Sequence, residues 1–132
     1  MKQDMELIKI MLQTLADNEN YYMLLDKFAA KIQEKIGANE LFNDKFVGHF
    51  FLARDTKLIE ELGVCFFVGP QYQRPTPANR AQLRITSQGL DFLEALNNEG
   101  IFHKIKDFSL DVASEIGKNL LTSVIANKLG IG

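Results

Sequence analysis

The sequence predicts a mainly α-helical protein with a small β-hairpin: a winged helix-turn-helix with additional C-terminal helices. Three observations lead there. Three segments with helical apolar spacing come first, two β-rich segments then flank a proline-bearing loop, and helical stripes resume to the end. At 132 residues the chain fits one domain over 1–132, with a winged-helix core at 1–97 and a helical extension at 101–130. That length is enough to bury a core without covalent staples.

Each element has its own warrant. Met5, Leu7, Ile8, Met11, Leu12 and Leu15 recur mostly at spacings of three and four, which places one apolar stripe on a helix over 4–17. Asp17-Asn18-Glu19-Asn20 ends it with turn residues. A second helix fits Leu24 to Ile36, with Leu25, Phe28, Ala29 and Ile32 inward and Gly37 as its C-cap. Asn43 or Asp44 caps a third helix carrying Phe46, Val47, Phe50 and Phe51.

Two readings compete over 54–68. The third helix continues through Leu58, Ile59 and Leu62, or it ends near Asp55, turns at Thr56-Lys57 and gives way to a strand from Leu58 to Val68. Val64-Cys65-Phe66-Phe67-Val68 is β-branched and aromatic, and suits a strand either way. The early break is favoured. Residues 69–81 hold all three prolines and no apolar period, and read as an exposed loop, long for a hairpin. Gln82 to Thr86 returns as a strand. Thr86 or Ser87 caps a helix with Leu90, Phe92, Leu93 and Leu96 inward, interrupted at Asn97-Asn98-Glu99-Gly100. Ile101 to Phe108 adds a turn or two, and a last helix runs from Ser109 or Asp111 to Leu129, closed by Gly130.

Several stretches resemble a family of short bacterial and prophage proteins described only as a domain of unknown function. They are Met1-Lys2-Gln3-Asp4-Met5-Glu6-Leu7-Ile8, the segment from Leu83-Arg84-Ile85-Thr86 to Ala95, and the closing Leu120 to Gly130. Leu52 to Glu60 is similar to that family's Leu-Leu-x-x-Ala-Gly-Leu-Ile-Glu, in which a helix ends at Ala-Gly and a strand begins at Leu-Ile. Here Thr56-Lys57 stands in place of Ala-Gly, Ser87 in place of a frequent Trp, and Leu90 in place of a frequent His. The resemblance implies a winged helix and brings no activity or catalytic residues.

Composition excludes some classes. Apolar residues make up 46% and charged residues 24%, as in an ordinary globular protein. A net charge of −2 gives no global attraction to nucleic acid or anionic membrane, so a DNA role would need a local basic face. The one cysteine, Cys65, precludes an internal disulfide and suits a reducing compartment. No run approaches a membrane span, and Asp4 and Glu6 stand where a signal peptide is apolar. A cytoplasmic protein is expected.

Motifs for chemistry are missing. His49, His103 and Cys65 are isolated in sequence, with no metal-ligand spacing, so neither metal nor cofactor is expected. Cys65 reads as a small buried hydrophobe, with a Cys–His pair as the weaker alternative. Gly117-Lys118 is no phosphate loop, because Val112 and Asn119 occupy the other required positions. On a strand, Glu60 and Glu61 would point to opposite faces and could not share a proton. The expectation is a non-enzymatic protein.

Two binding readings remain. In the first, a transcriptional regulator docks its third helix and loop on double-stranded DNA through Lys45, His49, Arg54, Arg74, Arg80 and Arg84. The i, i+4, i+8 stripe of Lys27, Lys31 and Lys35 on the second helix would assist. Asp44 and Asp55 at the ends of the third helix oppose this reading, as do outward residues that are poor base readers. In the second, a protein-interaction adaptor, prophage-encoded, reuses the fold. Ala113, Ile116, Gly117, Leu120, Leu121 and Val124 on the last helix would pair two copies in a homodimer or pack on their own core.

Overall fold

The computed structural model describes residues 2–130; Met1, which opens the resemblance, and residues 131 and 132 lie outside them. The elements run α1 (Met5–Ala16), β1 (Met23–Leu24), α2 (Leu25–Ile36), α3 (Asp44–Asp55), β2 (Ile59–Leu62), β3 (Phe66–Phe67), β4 (Thr76–Pro77), β5 (Gln82–Ile85), α4 (Ser87–Asn97), α5 (Glu99–Ile105) and α6 (Leu110–Lys128). The protein is mainly helical, with a small antiparallel sheet.

The helices form where apolar spacing and caps coincide. Asp4 caps α1 by accepting the Leu7 N–H at 3.2 Å, and the stripe from Met5 to Leu15 is buried. Gly37, at φ 72°, ends α2 as expected. The Asn43 side chain accepts the Phe46 N–H at 2.8 Å and starts α3. One residue, Asn98, both ends α4 and caps α5, its side chain accepting the Ile101 N–H at 3.1 Å.

The early end of α3 is present, and its mechanism is local. Lys57 adopts φ 63°. Its N–H bonds the Arg54 carbonyl at 3.0 Å, and the Leu58 N–H reaches back to Ala53 at 2.9 Å. That is the Schellman arrangement, in which the left-handed position usually carries glycine. The turned chain then enters β2, which pairs antiparallel with β5 in the register Ile59 to Ile85 and Leu62 to Gln82. β1 adds to the other side of β5, so the sheet order is β1-β5-β2.

The structure departs from the sequence reading at four places here. Leu24 belongs to β1 rather than to α2, because its backbone pairs with Gln82. The strand expected to run from Leu58 to Val68 breaks at Gly63, whose φ of 75° turns the chain out of the sheet. Beyond it, β3 pairs with β4 in a separate two-stranded ribbon, so the expected loop 69–81 contains a strand. Leu90 was expected inward and is instead 49% exposed.

Buried apolar residues from Met5 to Ala113 join one core that draws on every helix, so α5 and α6 pack into the same interior as α1–α4. The tightest joint lies between α4 and the α3–β2 turn. Thr86 caps α4 by accepting the Gly89 N–H at 2.9 Å, and its hydroxyl hydrogen faces the carbonyls of Lys57 and Leu58 at 2.7 and 3.1 Å. A Cβ on Gly89 would lie 2.2 Å from the Leu58 oxygen and 2.7 Å from Ile85.

Two stability outcomes follow from these backbone details. Lys57→Gly removes left-handed strain but loosens the unfolded chain, so a net gain of about 0.5–1 kcal/mol is expected. Gly89→Ala must push α4 off the turn and is expected to cost about 2–3 kcal/mol. Urea denaturation of the two variants, which should move in opposite directions, checks both.

Candidate nucleic-acid interface

A DNA-reading helix needs an outward face of long polar side chains. On α3 the interior takes Phe46, Val47, His49, Phe50 and Ala53. Its exposed positions are Asp44, Lys45 and Asp55. The remaining flank is covered by the β3–β4 ribbon. Phe66 inserts among Phe42, Phe50 and Phe51, with ring centroids 5.9, 4.9 and 5.5 Å away. The ribbon thus folds back on α3 instead of standing clear of it.

His49, expected at the DNA, is wholly buried. Its Nε2 accepts the Asp4 N–H at 2.8 Å, and its Nδ1 lies 2.7 Å from the Lys45 carbonyl. A carbonyl only accepts, so Nδ1 carries the proton and the ring is neutral. Burial pushes its pKa below the ordinary histidine value, outweighing the Lys45 carbonyl and the Asp4 charge, which favour the proton. This is a core histidine, and it is withdrawn from the list of DNA contacts.

Carboxylates already hold four of the expected cations. Lys45 lies 2.8 Å from Asp4, whose carboxyl is held below the usual range chiefly by that contact. Arg54 reaches Asp55 at 3.0 Å and Glu61 at 3.7 Å, and lies over the Phe51 ring. Arg74 bonds Asp44 and the Phe42 carbonyl, each at 3.0 Å, and comes within 3.6 Å of Glu40. Arg84 pairs with Glu60 across the β5–β2 rung and stacks on Tyr21. A phosphate at any of these positions would compete with a neighbouring carboxylate for the cation.

The other cations belong to α2 and to the turn before β5. Arg80 occupies a left-handed turn at φ 60°, next to Leu24 and Asp26. Lys27 and Lys31 are exposed on α2, and the Lys35 ammonium donates to the Thr14 hydroxyl at 2.7 Å. Among the described residues none of these four makes an ion pair, but Asp17 and Glu34 share a cleft with Lys31 and Lys35. Of the nine expected DNA contacts, four are thus paired with carboxylates and a fifth, His49, is buried.

The chemistry-bearing groups are similarly separated. Glu60 faces Arg84, whereas Glu61 turns the other way and accepts the Cys65 N–H at 2.7 Å. Burial, reinforced by Glu61, pushes the Cys65 thiol up to about 12, so it stays protonated near neutral pH. Among the described residues, no three His, Cys, Asp or Glu side chains are grouped to hold a metal ion. Nor is any helix long and apolar enough to cross a membrane.

The expected dimer face is largely internal. Ala113 and Gly117 are buried, and a Cβ on Gly117 would meet Ile105, Ala95 and Phe92 of the same chain at 3.2–3.5 Å. Ile116, Leu120, Leu121 and Val124 lie half-buried against that core. The small residues thus serve a close approach of α6 to α4 and α5, and they are withdrawn as a surface for a second copy.

A surface that the sequence reading missed lies on the ribbon and its approach. Leu62, Val64, Phe67 and Val68 are between 45% and 63% exposed. Phe67 stacks on Tyr72 with ring planes 17° apart. The sequence offered only an ambiguous signal, the pair Gly63 and Gly69 bracketing a short apolar run that is equally compatible with a buried strand. No family model matches the chain, and neither a curated protein nor a solved structure matches it.

Because Gly117 faces its own core, Gly117→Leu is expected to cost about 1–3 kcal/mol through overpacking. The loss should not depend on protein concentration. Denaturation at two concentrations a hundredfold apart, together with sedimentation, checks this against a role in pairing subunits.

Proposed function

We propose that this chain is a non-enzymatic winged-helix module that binds a protein partner through its wing, the β3–β4 ribbon. The order of three helices, a strand, the ribbon and a returning strand, with β1 added beside β5, supports the winged-helix reading. The resemblance to prophage proteins of unknown function supports it as well, since the expected strand start falls at the head of β2. On this reading the module is an adaptor rather than a regulator that reads DNA.

The observation that carries the proposal is the apolar wing. Four large side chains within seven residues face solvent, and such clusters on otherwise polar surfaces mark protein contacts. A wing built for DNA would present cations to phosphate. Here the nearest arginine, Arg74, is tied down onto α3 and the loop before it.

Two measurements test the reading together. A photo-crosslinker placed at Phe67 in the full chain is expected to give one reproducible protein adduct in cells, lost on Val64→Asp with Val68→Asp. Fluorescence anisotropy with pooled duplex fragments at about 50 mM salt is expected to show no binding. Salt-sensitive duplex binding that weakens with Arg80→Ala and Lys27→Ala would restore the DNA reading. Adducts unchanged by the two aspartates would remove the wing from the contact.

A further inference from the structure

We propose that the segment 2–4 is a strap held across α3 by an acid-labile latch at His49, and that protonating this ring releases it. The inference is independent of the partner proposed above. It starts from a bond with an unusual direction: a backbone N–H, that of Asp4, donates to an imidazole nitrogen at 2.8 Å. The other ring nitrogen is committed to the Lys45 carbonyl at 2.7 Å. Both ring positions are therefore occupied in one tautomer only.

Protonation cannot be accommodated in that geometry. An imidazolium has two N–H donors and no acceptor. Its Nε2–H would meet the Asp4 N–H head on, inside a site with no exposed surface. Either the ring stays neutral or the strap moves. The groups around the ring set the balance. Burial and the Lys45 ammonium oppose the charge, while the Asp4 carboxylate and the Lys45 carbonyl favour it. Burial leads, so the ring titrates below about 6.5, the value of an ordinary histidine. The neutral ring's contribution is complete above that pH and is lost as pH falls through the folded-state value.

Besides the Lys45–Asp4 ion pair at 2.8 Å, the strap has a further anchor that transmits the release. The Gln3 side chain donates to the Phe108 carbonyl at 2.7 Å and accepts from the Leu110 N–H at 3.0 Å. It thereby closes the α5–α6 turn and satisfies an N-terminal donor of α6. Gln3 and Asp4 are adjacent, so loss of one anchor loosens the other. The strap also walls a cleft of about 460 Å³ whose charged lining includes Lys2, Glu6, Lys106 and Asp107. Releasing the strap opens that cleft and uncouples α3 from the C-terminal helices.

The test is an NMR titration of the labelled full chain from about pH 7.5 to 4.5. His49 is expected to titrate below about 6.5, the value of an ordinary histidine. In the same step the Asp4 and Leu110 amides should lose protection about tenfold per pH unit, after correction for intrinsic exchange. Amides of Leu12 and Phe28 should keep theirs. Lys45→Met removes both an opposing cation and the ion pair that ties Asp4 to α3, and both losses should move the step to higher pH. The proposal is overturned if His49 titrates at or above about 6.5, the ordinary histidine value, or if the Asp4 amide stays protected throughout. It is equally overturned if the core opens in the same step, or if Lys45→Met leaves the step in place.

Discussion

The carbonyl of Leu58 is a meeting point of three segments. It accepts the Thr86 N–H and lies within reach of the Thr86 hydroxyl, both at 3.1 Å, and the backbone of Gly89 packs directly against it. Those contacts require Leu58 to leave α3 in one direction, which the left-handed Lys57 secures. Once that direction is set, β2 must fall beside β5, and α4 must start where the sheet ends. The sheet register, the position of α4, and the support that α4 gives to α5 and α6 all depend on a turn of two residues.

That turn also explains how far the fold could be read before it was seen. The stripes of α1 and α2, the Asn43 cap and the Gly37 terminus are local patterns, and local patterns survive folding. The end of α3 was readable because turn residues and a β-rich run followed it. β1 was not, since two residues have no period and its partner lies about sixty positions away. The split at Gly63 was hidden because a glycine inside an apolar run reads equally as bulge, turn or plain strand.

The candidate site was less readable than the fold, for a related reason. Charge type is written in the sequence, but charge pairing is not. Lys45 and Asp4, or Arg74 and Glu40, come together only through the tertiary arrangement. A count of cations near α3 therefore suggested a basic face that the folded chain neutralises at Lys45, Arg54, Arg74 and Arg84. His49 misled in the same way: its neighbours Phe46 and Phe50 already share its face of α3, and its polar atoms are satisfied by backbone from Asp4 and Lys45. The run from Val64 to Val68, read only as strand, gave no sign that Val64, Phe67 and Val68 would face solvent.

Asn98 joins two helices without a spacer. Its backbone sets the angle between α4 and α5, and its amide completes the start of the second helix while its N–H closes the first. An inserted residue there would turn α5 by about 100° about its axis and carry Ile101 and Ile105 out of the interior. The α3–β2 turn is equally intolerant, because a shift by one residue would put the other face of β2 inward. Length variation among descendants of this chain is therefore channelled to the segment from Gly69 to Pro75, where an insertion disturbs neither a helix cap nor the three-stranded sheet. That segment joins the two strands of the ribbon, and the exposed apolar side chains lie just ahead of it, from Leu62 to Val68.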